Sequence, residues 1–363
     1  MMKYSARFHG LMGQAPERIP QWESLYCPEA ISAITGIDYF SAPRSCMQRL
    51  AELYPHLPVG VPASDAPVAR PEDSTGEPSD GHEHVRWGTG ETWRFDWGAE
   101  FADIDDVLAY SPLEHLDLSD APLTEPHDYS DEEKLYEEYR ARLPDDGRGD
   151  TAPEGDTAMV GFYNTLIIWP IVTFGYEKFL TACLDPEFGR IMEEFARITD
   201  RVMRVFARLP VNFVTCHDDI VTTHGSLVPP SWLSTHIFPH YEKWWHMLND
   251  AGKEVIFITD GCVDEYADTI ISCGARGIIT EPYTDFKTMA RKHPDAFMAG
   301  EGDVRVLMRN DPGEIRQMVE SMIETAQMCG GYFLKIGNLI PHNVPADALK
   351  YYLDLCEDLG WRR

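Results

Sequence analysis

The chain has 363 residues, 44% of them hydrophobic and 25% charged, a length that suits one large domain or a barrel with an appendage and a composition that excludes a largely disordered, collagen-like or coiled-coil chain. Lys and Arg total 31 against 60 Asp and Glu, a formal net charge of −29; broad contact with nucleic acid or an anionic membrane is excluded, because binding phosphate needs clustered basic residues. A small ligand or a basic protein surface is the expected partner. The eight cysteines form no C-x-x-C pair and no tight framework, which predicts reduced thiols. The opening MMKYSARFHGLMGQ has no apolar export core and nowhere do 18 apolar residues run together, so the expectation is a soluble cytoplasmic protein.

In chain order, residues 1–60 mix short helical pieces such as Cys46 to Leu53 with turn-forming Pro16, Pro20, Pro28 and Pro43, and read as a cap or arm. VPASDAPVARPEDSTGEPSD, 61–80, predicts a surface loop. WGTGETWRFDW, 87–97, alternates aromatic and polar residues as a β-hairpin does. Asp131 to Arg142 has helical spacing, and LPDDGRGDTAPEGDT breaks it. From residue 157 the texture changes to short apolar runs, each followed by an amphipathic stretch of helical length, the β/α signature. The runs are 159–164, 211–219, 254–261, 275–282, 296–303 and 330–338. Helical patterns lie between them at 188–209, 232–251, 263–273 and 312–328. Two segments result: 1–156, a cap and the first part of a barrel, and 157–363, the β/α units forming most of it. Such strands belong to a parallel sheet covered on both faces. A closed barrel and an open doubly wound sheet both satisfy the pattern; the barrel is favoured because polar residues recur at nearly every strand's C-terminal end, where barrel enzymes keep their chemistry.

Those strand-end residues are Asn164, His217-Asp218-Asp219, Asp260, Glu281, Asp303 with Arg305, and Asn338, with His342 beyond. Asp260 and Asp303 also read as helix or turn caps. Adjacent Asp218 and Asp219 point to opposite sides of a continuing strand, so only one faces a pocket. His217, His224, Glu281 and Cys329 are near enough to strand ends for a zinc or other divalent site assembled from separate strands. His236, His240 and His246 share a helical stretch interrupted by Pro239 and read as structural. Trp169, Tyr176 and Tyr283 lie near strand ends, where aromatics serve equally as core or as the lining of a pocket for a flat ligand. Gly88-Thr-Gly90 and Gly300-Glu-Gly302 lack the third glycine of a dinucleotide fingerprint, and no Walker loop, G-x-S-x-G or H-E-x-x-H occurs. His82-Glu83-His84 reads as a solvated loop.

Four stretches carry a resemblance to the uroporphyrinogen decarboxylase superfamily, from about Trp87 to the C-terminus: HDDIVTTHGSLVPPSWLSTHIFPHYEKWW, AGKEVIFITDG, GEGDVRVL and GGYFLKIGNLIPHNVPADALKYY. The resemblance implies an α/β fold, a (β/α)8 TIM-type barrel, here with an N-terminal extension. IPQWESLYCPE stands where the decarboxylases carry an arginine-rich segment, and Asn338 where they carry a histidine. WGTGETWRFDWGAEF and DVLAYSPLEHL look more like the superfamily's corrinoid-dependent methyltransferases of methoxylated-compound metabolism. The thiol-side members of that branch have an H-x-C…C zinc motif, and FITDG lacks it; Cys262 and Cys329 are the cysteines that a thiol-side enzyme would have to use.

A substrate-side role is therefore expected: demethylation of a small methylated substrate, an aryl methyl ether among the candidates, with the methyl group passed to the cobalamin-type corrinoid of a partner protein. The resemblance then implies that His217, Glu281 or a metal held by them, with Cys329 as a further ligand candidate, loads the leaving atom. Asp218, Asp260 and Asp303 orient these groups, Arg305 binds a substrate carboxylate or balances the acids, and Asn338 and His342 close the pocket. Asp219, His224, Trp169, Tyr176 and Tyr283 complete the substrate-binding set. A decarboxylase of a porphyrin or another carboxylic acid is the alternative, a catalytically silent binding protein a further one. Zinc is a candidate cofactor, and a homodimer is compatible with the sequence.

Overall fold

The computed structural model describes residues 5–70, 84–86, 92–94, 97–115, 129–143 and 157–362. The chain divides into two compact units, Arg94–Ile278 and Met1–Trp93 with Ile279–Arg363.

The Arg94–Ile278 unit is built on strands β1 (Met159–Phe162), β2 (Phe213–His217), β3 (Glu254–Ile258) and β4 (Ala275–Ile279), in the order β4-β3-β2-β1. The pairing of β1 with β2 and of β2 with β3 is parallel. Each strand stops a little earlier than its apolar run, so most of the polar residues that end the runs lie in the following loops. Val214, Val255, Ile256 and Phe257 are fully buried, as expected of strands packed on both faces. Helix α1 (Phe188–Arg208) buries Phe188, Ile191, Phe195, Val202 and Phe206, a three-and-four spacing that lays one apolar stripe inward. The helix Glu132–Arg142 starts at Asp131, whose carboxylate accepts the Glu133 and Lys134 N–H groups, an N-cap that satisfies two otherwise orphaned donors. Its Tyr139 ring meets Phe206 of α1 at 4.8 Å. The stretch read as one helix from Trp232 is two, Pro230–His236 and α2 (Phe238–Asp250). Pro239 sits in the first turn of α2, where a missing N–H costs nothing but the preceding helix cannot continue.

The other unit holds the parallel pair β5 (Phe297–Ala299) and β6 (Gly331–Phe333). Helices α3 (Pro312–Ala326) and α4 (Ala346–Leu359) follow the two strands. N-terminal residues join the same layer: Gln21 bridges Leu334 and Leu25 bridges Ile340, both in parallel. Prolines and a mixed polar pattern hide this segment, read from sequence as a cap or arm, from any strand signature. The buried Arg18 anchors it by donating to the Cys356 and Glu357 carbonyls at 2.9 and 3.0 Å. Back in the Arg94–Ile278 unit, the predicted helix 263–273 forms only over Ala267–Ser272.

The predicted hairpin 87–97 falls mostly outside the described residues; short strands His84–Arg86 and Thr92–Arg94 form a two-stranded sheet. Residues 71–83 and 144–156, with Gly88, Gly90, His82 and Glu83, also lie outside them. Among the described residues no helix is long and apolar enough to cross a membrane.

Candidate active site

In the Arg94–Ile278 unit the parallel register sets Gly161 beside Thr215, and His217 beside Ile258. Side chains alternate along a strand, so His217 and Asp219 share a face with each other, and Asp260 is in phase with Ile258 on the neighbouring strand. Beyond the strand ends the phase is kept by hydrogen bonds. The Asp218 N–H donates to the Ile258 carbonyl at 3.0 Å. Asp260's N–H donates to Asp219 Oδ1 at 3.0 Å, and the same oxygen accepts His217 Nε2–H at 3.2 Å. One ligand atom from each of His217, Asp219 and Asp260 lies within 4.8 Å of the others.

Burial alone would lower the His217 pKa, but the hydrogen bond to Asp219 and the charges of Asp219, Asp260 and Asp218 outweigh it and leave the value raised. The imidazolium form therefore persists to higher pH than in a free histidine. The Tyr163 ring stands edge-on to His217 with centroids 4.3 Å apart. Burial, then the charges of Asp219 and Asp260, raise the pKa of both Tyr163 and Tyr176. Both phenols stay protonated and uncharged beside the two acids.

Asp218 faces the other way, as alternation requires, and is fully buried. Its Oδ1 accepts the Ile167 and Ile168 N–H groups at 2.7 and 2.8 Å, and Oδ2 accepts the Tyr241 hydroxyl at 2.6 Å. Burial pushes its pKa up to about 7, against the pull of these hydrogen bonds. Asp218 is thus a brace for the start of the helix Ile168–Phe174, whose C-terminal Gly175 leads into Tyr176.

Tyr176 is held by a second device. Gly98 and Gly175 both have φ of +77°, and a Cβ on Gly98 would lie 1.9 Å from the Phe174 carbonyl oxygen. Only glycines permit this backbone-to-backbone approach. It brings the Trp97 ring to 6.1 Å from that of Tyr176, which is 48% exposed.

Of the remaining candidates in this unit, Asn164 is buried, and neither its amide oxygen nor its nitrogen has a hydrogen-bond partner among the described residues. Trp169 is core, packed against Tyr129, Phe162 and Phe195. His224 is exposed at the tip of the hairpin Val221–Ser226. His240 stacks on Trp244, and His236 packs on Trp232. In the other unit, Asp303 caps the helix Val304–Arg309 and pairs with Arg305 at 2.8 Å, and the Arg305 guanidinium lies 5.0 Å from the Tyr283 ring centre. Glu281 adds to the field that raises the Arg305 pKa, after Asp303. Asn338 and His342 are exposed.

Among the described residues His217, Asp219 and Asp260 form the one group of three His, Cys, Asp or Glu with metal-ligand spacing. One imidazole and two carboxylates fit a divalent cation that prefers nitrogen and oxygen donors, with positions left for water or substrate. A thiolate-zinc set does not form among the described residues. Cys329 is buried with its sulfur against Met298, its pKa pushed up to about 11 by burial, and Cys262 is likewise raised.

Tyr163 and Trp97 escaped the sequence reading. Tyr163 had a usable signal, since it lies in the first apolar run two residues after Gly161, in the phase that faces His217. Trp97 had none, because its position depends on the contact between Gly98 and Gly175, far apart in sequence.

No protein-family model matches the chain, and no curated protein matches it in sequence. Among solved structures, a methyltransferase from Methanosarcina mazei matches 98% of this chain and 99% of its own, with TM-score 0.59 and 13% identity. A xylose isomerase-like TIM barrel protein from Mycobacterium smegmatis, in complex with magnesium, covers 50% of this chain and 70% of its own at TM-score 0.25 and 11% identity. The first likeness and the parallel β/α order agree with the expected fold class, a (β/α)8 barrel with additional helices.

Proposed function

We propose that the chain is a methyltransferase that takes a methyl group from a small substrate at the His217–Asp219–Asp260 cluster and passes it to the corrinoid cobalt of a partner protein. The observation that supports this most is the cluster itself: an imidazole with a raised pKa and two carboxylates meeting at the C-terminal ends of parallel strands. The sequence resemblance to corrinoid-dependent methyltransferases and the fold shared with the Methanosarcina mazei methyltransferase lend it further support.

In such a transfer a cobalt(I) electron pair forms the new bond to carbon while the bond from methyl to its heteroatom breaks. The heteroatom keeps that electron pair and must leave in a stable form. An ether oxygen needs a proton or a cation. His217 is the residue to donate the proton, from Nδ1, because its Nε2–H is held by Asp219, which the Asp260 N–H orients in turn. A divalent cation held by His217 and the two carboxylates would instead polarise the leaving atom. A substrate whose heteroatom already carries positive charge needs neither.

The test is to incubate the purified protein, its metal content determined, with reduced cob(I)alamin and a panel of methoxylated aromatics and methylated amines, following the absorbance of methylcobalamin. The expected result is methyl-cobalt formation from one donor class, lost on Asp260→Asn and His217→Ala. Carbon dioxide release from an acid, with no methyl transfer from any donor, would overturn the proposal in favour of a decarboxylase.

A further inference from the structure

We infer that the His217–Asp219–Asp260 cluster takes a methylated ammonium head group, so that the methyl donor is a quaternary or protonated methylamine rather than a methoxylated aromatic. This rests on the methyltransferase reading above and names its substrate class.

Three features converge. Two carboxylates, Asp219 and Asp260, meet at the site against a single imidazole, with one ligand atom of each of the three residues within 4.8 Å of the others. The Tyr163 ring stands edge-on to His217 with centroids 4.3 Å apart, and Asp219 and Asp260 act on both Tyr163 and Tyr176. Trp97 adds a second ring beside Tyr176, with centroids 6.1 Å apart, next to the close approach of Gly98 and Gly175. Aromatic rings with carboxylates behind them are the chemistry that recognises an alkylated ammonium, because the ring faces attract the diffuse charge and methyl groups cannot donate strong hydrogen bonds. The leaving group points the same way. A methoxylated aromatic leaves as a neutral phenol only if His217 gives up its proton, which removes the positive charge that offsets the two carboxylates in a partly buried site. A methylammonium releases a neutral amine: the carbon–nitrogen pair moves to nitrogen, the cobalt(I) pair of the acceptor bonds the methyl carbon, and no proton or oxidant is required. The exposed Tyr176 ring gives the site an aromatic edge open to solvent.

Calorimetric titration of the chelated, full-length protein compares tetramethylammonium, choline and the uncharged choline isostere 3,3-dimethylbutan-1-ol. Choline should bind at least about tenfold more tightly than the isostere, and Tyr176→Leu should weaken tetramethylammonium about fivefold. Asp260→Asn, of nearly the same shape, should weaken it further, with far-ultraviolet circular dichroism unchanged in both variants. Equal binding of choline and its isostere, or no binding of tetramethylammonium, would overturn the inference. So would methyl transfer to cob(I)alamin from methoxylated aromatics alone, which leaves the methyltransferase reading standing. Charge-selective binding without transfer from any donor supports the ammonium site and overturns the methyltransferase reading.

Discussion

Replacing Asp218 with alanine tests whether this carboxylate holds the turn that leads to Tyr176. The substitution orphans the buried Ile167 and Ile168 N–H groups and the Tyr241 hydroxyl. Each orphan costs roughly 1–3 kcal/mol, offset in part by removing a buried acid and by relaxation, so the expected net loss is about 3–5 kcal/mol. An unfolding entropy of about 2.1 cal/mol/K per residue over 363 residues converts this to a fall in Tm of about 4–7 °C, read by scanning fluorimetry at one scan rate. Asp218→Asn keeps an acceptor for the two amides and should lose far less. The pH dependence adds a second readout. The pKa of Asp218 is pushed up to about 7 in the folded chain and lies at about 3.9 when unfolded, so the folded state holds the extra proton in between. Its contribution to stability is complete below about pH 4 and is lost as pH rises through about 7, a swing on the order of 4 kcal/mol. Asp218→Asn has no such loss and should gain on the wild type between about pH 5 and about pH 8. A Tm for Asp218→Ala within about 1 °C of wild type, or a flat difference between wild type and Asp218→Asn over that range, would refute the brace.

Gly98→Ala should lower stability by about 2–4 kcal/mol, because its Cβ would lie 1.9 Å from the Phe174 carbonyl oxygen at a φ of +77°; an unchanged Tm would show that the turn yields without cost. In a histidine-ring NMR titration, His217 should titrate above the free imidazole value, and Asp219→Asn should move it down by removing the largest raising influence. The His217–Asp219 contribution to stability is accordingly present at pH below the free value and lost as pH rises through the raised one. Glu133→Gln breaks an exposed pair with Arg208 and should leave Tm within about 1 °C; a larger drop would mean that the helix Glu132–Arg142 depends on that pair rather than on Tyr139 and Leu135.

Much of the fold was legible because its signals are local. Apolar runs of strand length alternating with amphipathic stretches identified β1 to β6 and helices such as α1 and α3, since burial of one stripe or of both faces dictates which side chains the chain can place there. Period-two alternation also showed that Asp218 and Asp219 part company. What each of them meets was decided by the tertiary structure, where the Asp219 carboxylate accepts the Asp260 N–H and Asp218 turns to the Ile167–Ile168 amides. The same holds for Trp169, core by its packing against Tyr129, Phe162 and Phe195, and for Cys329, buried with its sulfur against Met298. Residues 18–26 carried no strand signature, yet bridge Leu334 and Ile340, because a parallel partner from the far end of the chain supplies what the local pattern lacks. Local periodicity determines which residues are apolar-facing and where strands end; only the folded chain decides which strand ends meet, because that depends on contacts between residues remote in sequence and on glycines that let two backbones touch.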